Sequence, residues 1–127
     1  MSSIKLQINT KNQKYPIIIG NNLINKTSKF LNENLINFNQ CLIIIDIKVP
    51  KNLIKKILKS LNKKRITTHF LNANEINKNQ KSVDRILDIL LKKNFNRNDC
   101  LIAIGGGITG DISGFAASIF KRGIQFV

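Results

Sequence analysis

A glycine-rich loop that ends in an acidic residue is the part of this sequence best suited to bind a ligand. Residues 105–111 read GGGITGD, and they follow a short apolar run at residues 100–104 that is typical of a buried parallel strand. Glycines let the backbone turn tightly and approach a ligand closely. A strand, a glycine loop and a helix start in this order leave unpaired N–H groups at the positive end of the helix dipole. The pattern predicts a site for a phosphate-bearing ligand.

The spacing of this loop is a weak signal when taken alone. Gly105, Gly107 and Gly110 fit the pattern G-x-G-x-x-G found in dinucleotide-binding proteins. The sequence ends before the position, about 20 residues downstream, where such proteins often carry an acidic residue for the ribose. The alternative interpretation is a structural turn between a strand and a helix, in which Asp111 only stabilises the helix start.

Two other predicted strands are followed by charged residues. Asp46 comes after the apolar residues 41–45, and a carboxylate there can accept hydrogen bonds from two ribose hydroxyls. The alternative for Asp46 is a turn residue at a strand end. Glu75 and Lys78 follow the next strand, and their alternative is a solvated i, i+3 ion pair before a helix. Since ligands of parallel sheets bind beyond the carboxyl ends of the strands, we expect these segments to face one crevice.

The order of the elements predicts an α/β fold, with a Rossmann-like parallel sheet and flanking helices. An amino-terminal β-hairpin-type opening is expected from residues 4–8 and 15–19, followed by helical spacing over residues 22–31. The strands of the parallel sheet are expected at residues 41–45, 66–71 and 100–104. Neither a linker nor an internal repeat is visible, so residues 1–127 are interpreted as one domain.

Three helices are predicted between and after the strands of the parallel sheet. The first has Pro50 in its first turn, and its apolar stripe consists of Leu53, Ile54, Ile57, Leu58 and Leu61. The second begins near Val83 and runs through about Lys93. The third opens at Gly110 and Asp111, and its expected buried face consists of Ile112, Phe115, Ala116 and Ile119.

The composition favours a globular protein of the cytoplasm. Hydrophobic residues make up 43% of the 127 residues. No apolar run approaches the length of about 18 residues that a membrane span needs, and the first residues are too polar for a signal peptide. The 21 Lys and Arg against 7 Asp and Glu suggest nucleic-acid binding. These basic residues are spread over every segment with few aromatic residues between them, which argues against a specific nucleic-acid partner.

Cysteine and histidine usage predicts no metal site in this chain. Cys41 and Cys100 each open an apolar strand, which is typical of buried free thiols in a reducing compartment. His69, the sole histidine, lies in an alternating run and is interpreted as a strand residue. No cluster of His, Cys, Asp or Glu has metal-ligand spacing.

The longer string around the glycine loop is far more specific than the loop alone. The residues GGGITGDISGFAAS, followed by KRGI, closely resemble the signature of the 3-dehydroquinate synthases, which are sugar-phosphate cyclases. The run IIID resembles the family's strand that ends in a ribose-contacting Asp, and NEINK resembles its Gly-Glu-x-x-Lys element. Two positions depart from the family: Lys48 replaces its usual Asn, and Asn74 replaces the glycine of that element.

The resemblance implies a set of site residues. The implied NAD-binding residues are Asp46, Glu75, Lys78, Gly106, Gly107, Ile108, Thr109, Gly110 and Asp111. Arg122, in KRGI, matches an arginine that reaches the substrate phosphate of a neighbouring subunit, as suits a bidentate contact. The resemblance covers only the amino-terminal part of the family's length. The family's metal ligands lie in a carboxy-terminal helical domain that this sequence lacks, so no catalytic or metal-binding residue is assigned here.

The resemblance implies a lyase of the shikimate pathway, on the way to chorismate and the aromatic amino acids. A homodimer would convert the sugar phosphate 3-deoxy-D-arabino-heptulosonate 7-phosphate to 3-dehydroquinate and phosphate, using NAD and a divalent metal, zinc or cobalt. The chain is interpreted as a truncated synthase that is inactive by itself. The alternatives are another sugar-phosphate cyclase, an iron-type alcohol or glycerol dehydrogenase of the same superfamily, and a non-enzymatic basic module that binds nucleotides or nucleic acid.

Overall fold

A computed structural model describes residues 3–127 of the chain as strands and helices in α/β order. Within these residues the strands are β1 Ile4–Asn9, β2 Lys14–Ile19, β3 Gln40–Asp46, β4 Arg65–Leu71, β5 Cys100–Ile104 and β6 Gln125–Phe126. The helices are α1 Thr27–Glu33, α2 Lys51–Ser60, α3 Gln80–Lys92 and α4 Gly107–Ile119, with 3₁₀ segments at Leu23–Lys26 and Phe120–Arg122.

The main sheet is parallel and has the strand order β4-β3-β5-β6. The central strand β3 is buried along its whole length, and its register pairs Cys41 with Cys100 and Ile45 with Ile104. A strand that is covered on both faces must be apolar at every position, which explains the continuous run at residues 41–45. The predicted α/β fold with a parallel sheet is confirmed.

Helices cover both faces of this sheet and create two cores. Successive side chains of β3 point to opposite faces. Leu42 and Ile44 pack with residues of α3 and α4 on one face, whereas Ile43 and Ile45 pack with α1 and α2 on the other. This arrangement holds the loops at both ends of the sheet in place.

The predicted buried thiols are confirmed. Cys41 and Cys100 are free, fully buried and opposite each other on β3 and β5. Burial raises the pKa of Cys41 to about 11 and that of Cys100 to about 12. Both side chains are therefore protonated at neutral pH and act as small apolar residues.

The amino-terminal hairpin is confirmed as well. Strands β1 and β2 pair antiparallel, from Ile4 opposite Ile19 to Asn9 opposite Lys14, and form a separate two-stranded sheet. The helical spacing predicted after the hairpin corresponds to the 3₁₀ segment and α1. Pro50 directly precedes α2 as its N-cap residue, with extended backbone, rather than lying in its first turn.

The prediction for α4 was wrong in its start and in part of its buried face. The helix begins at Gly107 instead of Gly110, because Gly105, with a φ of 156°, makes the turn by itself. Ile112 and Ala116 are buried as predicted, but Phe115 is 51% exposed and Ile119 is 47% exposed. The residues buried in their place are small or polar, and they let the helix approach the sheet closely; they are Thr109, Ser113 and Ala117.

Candidate functional site

The carboxyl edge of the parallel sheet brings three loops together. Because β4, β3 and β5 run parallel, the loops that follow Leu71, Asp46 and Ile104 leave the sheet at the same edge. A Cβ atom placed on Gly105 would lie 3.0 Å from Cβ of Asp46, which shows how close two of these loops are. Three of the sequence-predicted segments therefore surround one crevice.

Asp46, the last residue of β3, is only 9% exposed. Its Oδ1 accepts a hydrogen bond from the backbone N–H of Lys48 at 3.2 Å, and its carbonyl accepts one from Val49 at 3.0 Å. Asp46 therefore does have the turn role considered as its alternative. The turn engages Oδ1, and Oδ2 accepts no hydrogen bond within residues 3–127, so an acceptor remains for a ligand. Lys48 contributes its backbone to this turn.

Lys78 and Asp111 form an ion pair across the crevice. Nζ of Lys78 lies 3.1 Å from Oδ2 of Asp111, and both side chains are partly exposed to solvent. The hydrogen bond that Lys78 donates, together with the charge of Asp111, raises the pKa of Lys78 above its usual value of 10.5. The i, i+3 pairing of Glu75 with Lys78, the alternative considered from the sequence, is not the arrangement found. Glu75 is exposed and makes no ion pair within the described part of the chain.

The first turn of α4 is open to the crevice. The first N–H groups of any helix have no intrahelical partner. Gly106, the N-cap residue of α4, has no side chain that could accept hydrogen bonds from them. A Cβ atom on Gly106, Gly107 or Gly110 would meet no atom within 4 Å. Gly105 is different, since its Cβ would lie 2.5 Å from Oγ1 of Thr109. Gly105 is thus required by the fold, whereas the space beside Gly106 and Gly107 is free for a ligand.

Two side chains near this turn face the interior. Thr109 is fully buried, and Ile108 packs against the core between the sheet and helices α3 and α4. Any contact that these residues make with a ligand in the crevice therefore involves their backbone. Oγ1 of Thr109 and Oγ of Ser113, one turn further along α4, are buried without a hydrogen-bond partner among residues 3–127. Ser113 was not identified from the sequence, because a serine in a helix carries no signal of its burial.

Arg122 does not join the other predicted site residues. It follows α4, which has 13 residues and so spans about 20 Å from the crevice to the opposite edge of the sheet. Arg122 is exposed and has a left-handed backbone with a φ of 66°. It lines a cavity of about 990 Å³ between the hairpin, α1, α4 and β6. This cavity is separate from the crevice of Asp46 and Lys78.

In residues 3–127 no group of three or more His, Cys, Asp or Glu side chains is placed to hold a metal ion. No helix in the same residues is long and apolar enough to cross a membrane.

His69 lies in β4 and is half-buried. Its burial and, to a smaller extent, the charge of Arg85 lower the pKa of His69. The prediction that His69 is a strand residue is confirmed.

Comparison with known proteins shows which proteins the chain resembles. The family model described as 3-dehydroquinate synthase N-terminal matches residues 68–127. The 3-dehydroquinate synthase of Pelagibacter ubique is 65% identical over 127 residues, which is all of this chain and 34% of that protein. Over its whole length the chain is therefore similar to 3-dehydroquinate synthases. The synthase of Blochmanniella floridana is 38% identical over 126 residues, again 34% of its length. The chain thus spans about a third of the length of the curated synthases that it matches.

Two kinds of solved synthase structure share the fold. A 2-deoxy-scyllo-inosose synthase, crystallised with carbaglucose-6-phosphate, NAD+ and Co2+, superimposes with a TM-score of 0.85 at 22% identity. The match covers 97% of this chain and 34% of that one. A 2-epi-5-epi-valiolone synthase from Streptomyces hygroscopicus, with NAD+ and Zn2+ bound, has a TM-score of 0.63 at 25% identity, over 69% of this chain and 26% of its own. These likenesses confirm the fold.

The ion pair between Lys78 and Asp111 gives a testable titration. Replacing Asp111 with Asn removes the carboxylate that raises the pKa of Lys78, so we expect that pKa to fall towards 10.5. In the unaltered chain the attraction is present at neutral pH and is lost as the pH rises through the raised pKa of Lys78. NMR titration of the Lys78 ammonium measures the change, with Asp88→Asn, an exposed change on α3, as the control. Equal titration of Lys78 in all three proteins would show that the pair does not form in solution.

Proposed function

We propose that this chain forms the NAD-binding part of a 3-dehydroquinate synthase. That enzyme converts 3-deoxy-D-arabino-heptulosonate 7-phosphate to 3-dehydroquinate and phosphate in the shikimate pathway. The observation that carries the proposal is the convergence of Asp46, the Lys78–Asp111 pair and the open first turn of α4 at one edge of the sheet. The identity of 65% to the Pelagibacter ubique synthase supports the same assignment.

The residues at the crevice have the chemistry that a dinucleotide requires. A pyrophosphate needs unpaired N–H donors at a helix start, which Gly106, Gly107 and the following residues offer. A ribose needs a carboxylate acceptor, which Oδ2 of Asp46 supplies. The open space beside Gly106 and Gly107 allows the backbone to contact the phosphates directly. NAD therefore fits the residues present.

Each residue then has a defined role in binding the dinucleotide. Asp46 accepts hydrogen bonds from the ribose hydroxyls, while the turn to Lys48 keeps its carboxylate in place. The backbone of Gly106, Gly107, Ile108, Thr109 and Gly110 binds the pyrophosphate. Lys78 adds positive charge beside it, and Asp111 orients Lys78 and contacts the nicotinamide side. Glu75, exposed in the same loop, is proposed as a further polar contact to the cofactor.

When bound, NAD would supply reversible hydride transfer, which is the chemistry of the cofactor itself. The chain contributes binding and orientation, and no catalytic residue is assigned to it. A divalent metal, zinc or cobalt, is expected for the whole enzyme. The described residues contain no ligand set for this metal, and no step is assigned to it here. We propose a cytoplasmic location for the whole enzyme, and no specific nucleic-acid partner.

Arg122 is proposed to serve a second site. Because it lies at the other end of α4, it cannot contact a sugar phosphate held beside Asp46 and Lys78 of the same chain. Its exposed guanidinium suits a bidentate phosphate contact in the neighbouring subunit of a homodimer. The proposed contact across a dimer is compatible with the large distance between Arg122 and the crevice of its own chain.

A second candidate function is that of another sugar-phosphate cyclase, because the backbone also superimposes on a 2-deoxy-scyllo-inosose synthase. The two candidates share the NAD crevice, and they differ in substrate. The higher identity to 3-dehydroquinate synthases favours the first.

The role of Asp46 is tested by two substitutions in this chain. Asp46→Ala is expected to weaken NAD binding by about 1–3 kcal/mol, the cost of losing one partner of a buried hydrogen bond. Asp46→Asn retains the Oδ1 acceptor for the N–H of Lys48 but removes the charge and replaces Oδ2 with an NH2 donor, so it separates the turn from the ribose contact. Calorimetry with NAD measures both, and Asp88→Ala, an exposed acid on α3, is the control. Unchanged affinity in Asp46→Ala would remove this residue from the site.

The glycine loop is tested by comparing two positions that are close in sequence. Gly107→Ala adds a methyl group in open space, so we expect loss of NAD binding with a cooperative thermal unfolding transition. Gly105→Ala places a methyl group against Thr109 at a positive φ, so it should lower the free energy of unfolding by about 1–3 kcal/mol. Calorimetry and urea unfolding distinguish the two effects. Normal NAD binding by Gly107→Ala would mean that the loop is only a structural turn.

The proposed activity is tested by phosphate release from the heptulosonate phosphate. We expect no turnover by residues 1–127, with or without zinc, and weak binding of NAD, because the other wall of the cleft is contributed by the rest of the enzyme. The full-length Pelagibacter ubique synthase serves as the positive control. Zinc-dependent turnover by the 127-residue chain would contradict the proposed division of the site. Failure of this chain to bind NAD at millimolar concentration, or salt-sensitive DNA binding that NAD does not affect, would contradict the NAD assignment.

A further inference from the structure

The loop between β4 and α3, residues 72–79, has its shape set by asparagine side chains. Oδ1 of Asn74 accepts a hydrogen bond from the backbone N–H of Asn77 at 2.8 Å. The carbonyl oxygen of Asn74 accepts one from the backbone N–H of Lys78 at 3.1 Å. A side-chain bond and a main-chain bond from one residue thus close the turn from which Lys78 projects.

Both flanks of this turn are held in place independently. Nδ2 of Asn77 donates to the carbonyl of Asn72 at 2.9 Å, and Oγ of Ser82 donates to the carbonyl of Asn77 at 2.6 Å. Oδ1 of Asn79 accepts from the N–H of Ser82 at 3.0 Å and caps α3. Between these flanks the turn at Lys78 is closed by the bonds to Asn74 and by a bond of 3.3 Å from the N–H of Lys78 to the carbonyl of Glu75.

The direction at Lys78 matters because its ammonium reaches Asp111 on another element. The ion pair joins this loop to the first turns of α4, the part of the crevice proposed for the pyrophosphate. A lysine side chain loses conformational entropy when it is held in one geometry. If the backbone already directs the Lys78 side chain towards Asp111, that side chain loses fewer conformations when the ion pair forms.

We propose that Asn74 is a positioning residue of the nucleotide site. Its side chain closes the turn that presents Lys78 to Asp111, and it thereby sets the affinity of the crevice for an anionic dinucleotide. This inference rests on the proposed NAD-binding function. Without the Asn74 side chain, the N–H of Asn77 is left to solvent, the turn loosens and Lys78 spends less time beside Asp111. The loss of one net hydrogen bond of about 1 kcal/mol corresponds to a roughly fivefold weaker affinity for NAD.

The experiment compares Asn74→Ala and Asn74→Ser in this chain by NMR and by calorimetry with NAD. We expect Asn74→Ala to shift the amide signals of Asn77 and Lys78, to lower the pKa of the Lys78 ammonium and to raise the Kd for NAD about fivefold. Asn74→Ser keeps a neutral acceptor and should restore much of both properties. Asn62→Ala changes an exposed asparagine after α2 and should leave both unchanged.

Two results would overturn the inference. One is an unchanged Lys78 titration in Asn74→Ala, whatever happens to NAD binding. The other is a changed titration with an unchanged Kd for NAD. If the Lys78 titration changes but the unaltered chain binds no NAD, the proposed function fails, whereas the positioning of Lys78 by Asn74 is supported. Should Asn74→Ala fail to fold, Asn74→Gly, which also lacks the side-chain acceptor, provides the same comparison.

Discussion

Parallel pairing of β3 with both of its neighbours is the constraint on which the rest of the structure depends. It directs the carboxyl ends of β4, β3 and β5 to the same edge, where their loops meet. The pairing requires β3 to be covered on both faces, and alternate residues of β3 pack against α3 and α4 or against α1 and α2. The burial of β3 therefore fixes the strand ends from which the loops of the crevice leave the sheet. These loops can carry the polar groups of the crevice without contributing to the core.

Close approach of two loops at one point shapes this edge of the sheet. Gly105 lies against both Asp46 and Thr109, so neither loop could take this position with a side chain there. The result is a helix start that lacks a side-chain cap and faces a carboxylate and a lysine. An anionic dinucleotide supplies both the acceptors for the N–H groups and the hydroxyl donors for Asp46. The chemistry of the crevice and the similarity to 3-dehydroquinate synthases thus support the same class of ligand.

The length of α4 divides the site residues between two ends of the protein. The residues around Gly107 serve the crevice, whereas Arg122 is exposed at the opposite edge, beside the apolar cavity near the hairpin. A helix of this length cannot bring both ends to one small ligand. In the proposed homodimer, one chain's Arg122 would lie near the other chain's substrate. The order of residues along the chain therefore does not reveal which of them share a site.

Local patterns in the sequence determined the strands, the hairpin and the three segments at the carboxyl edge, because alternation and apolar runs reflect burial residue by residue. The tertiary structure alone decided which face of α4 is buried. Thr109 and Ser113 are buried there, whereas Phe115 is exposed. Small side chains on the buried face allow the helix to lie close to the sheet, and this distance is set by the tertiary structure. It also decided the partner of Lys78. Glu75 is the near neighbour in sequence, but Asp111, 33 residues away, is the neighbour in space because α3 and α4 pack on the same face of the sheet.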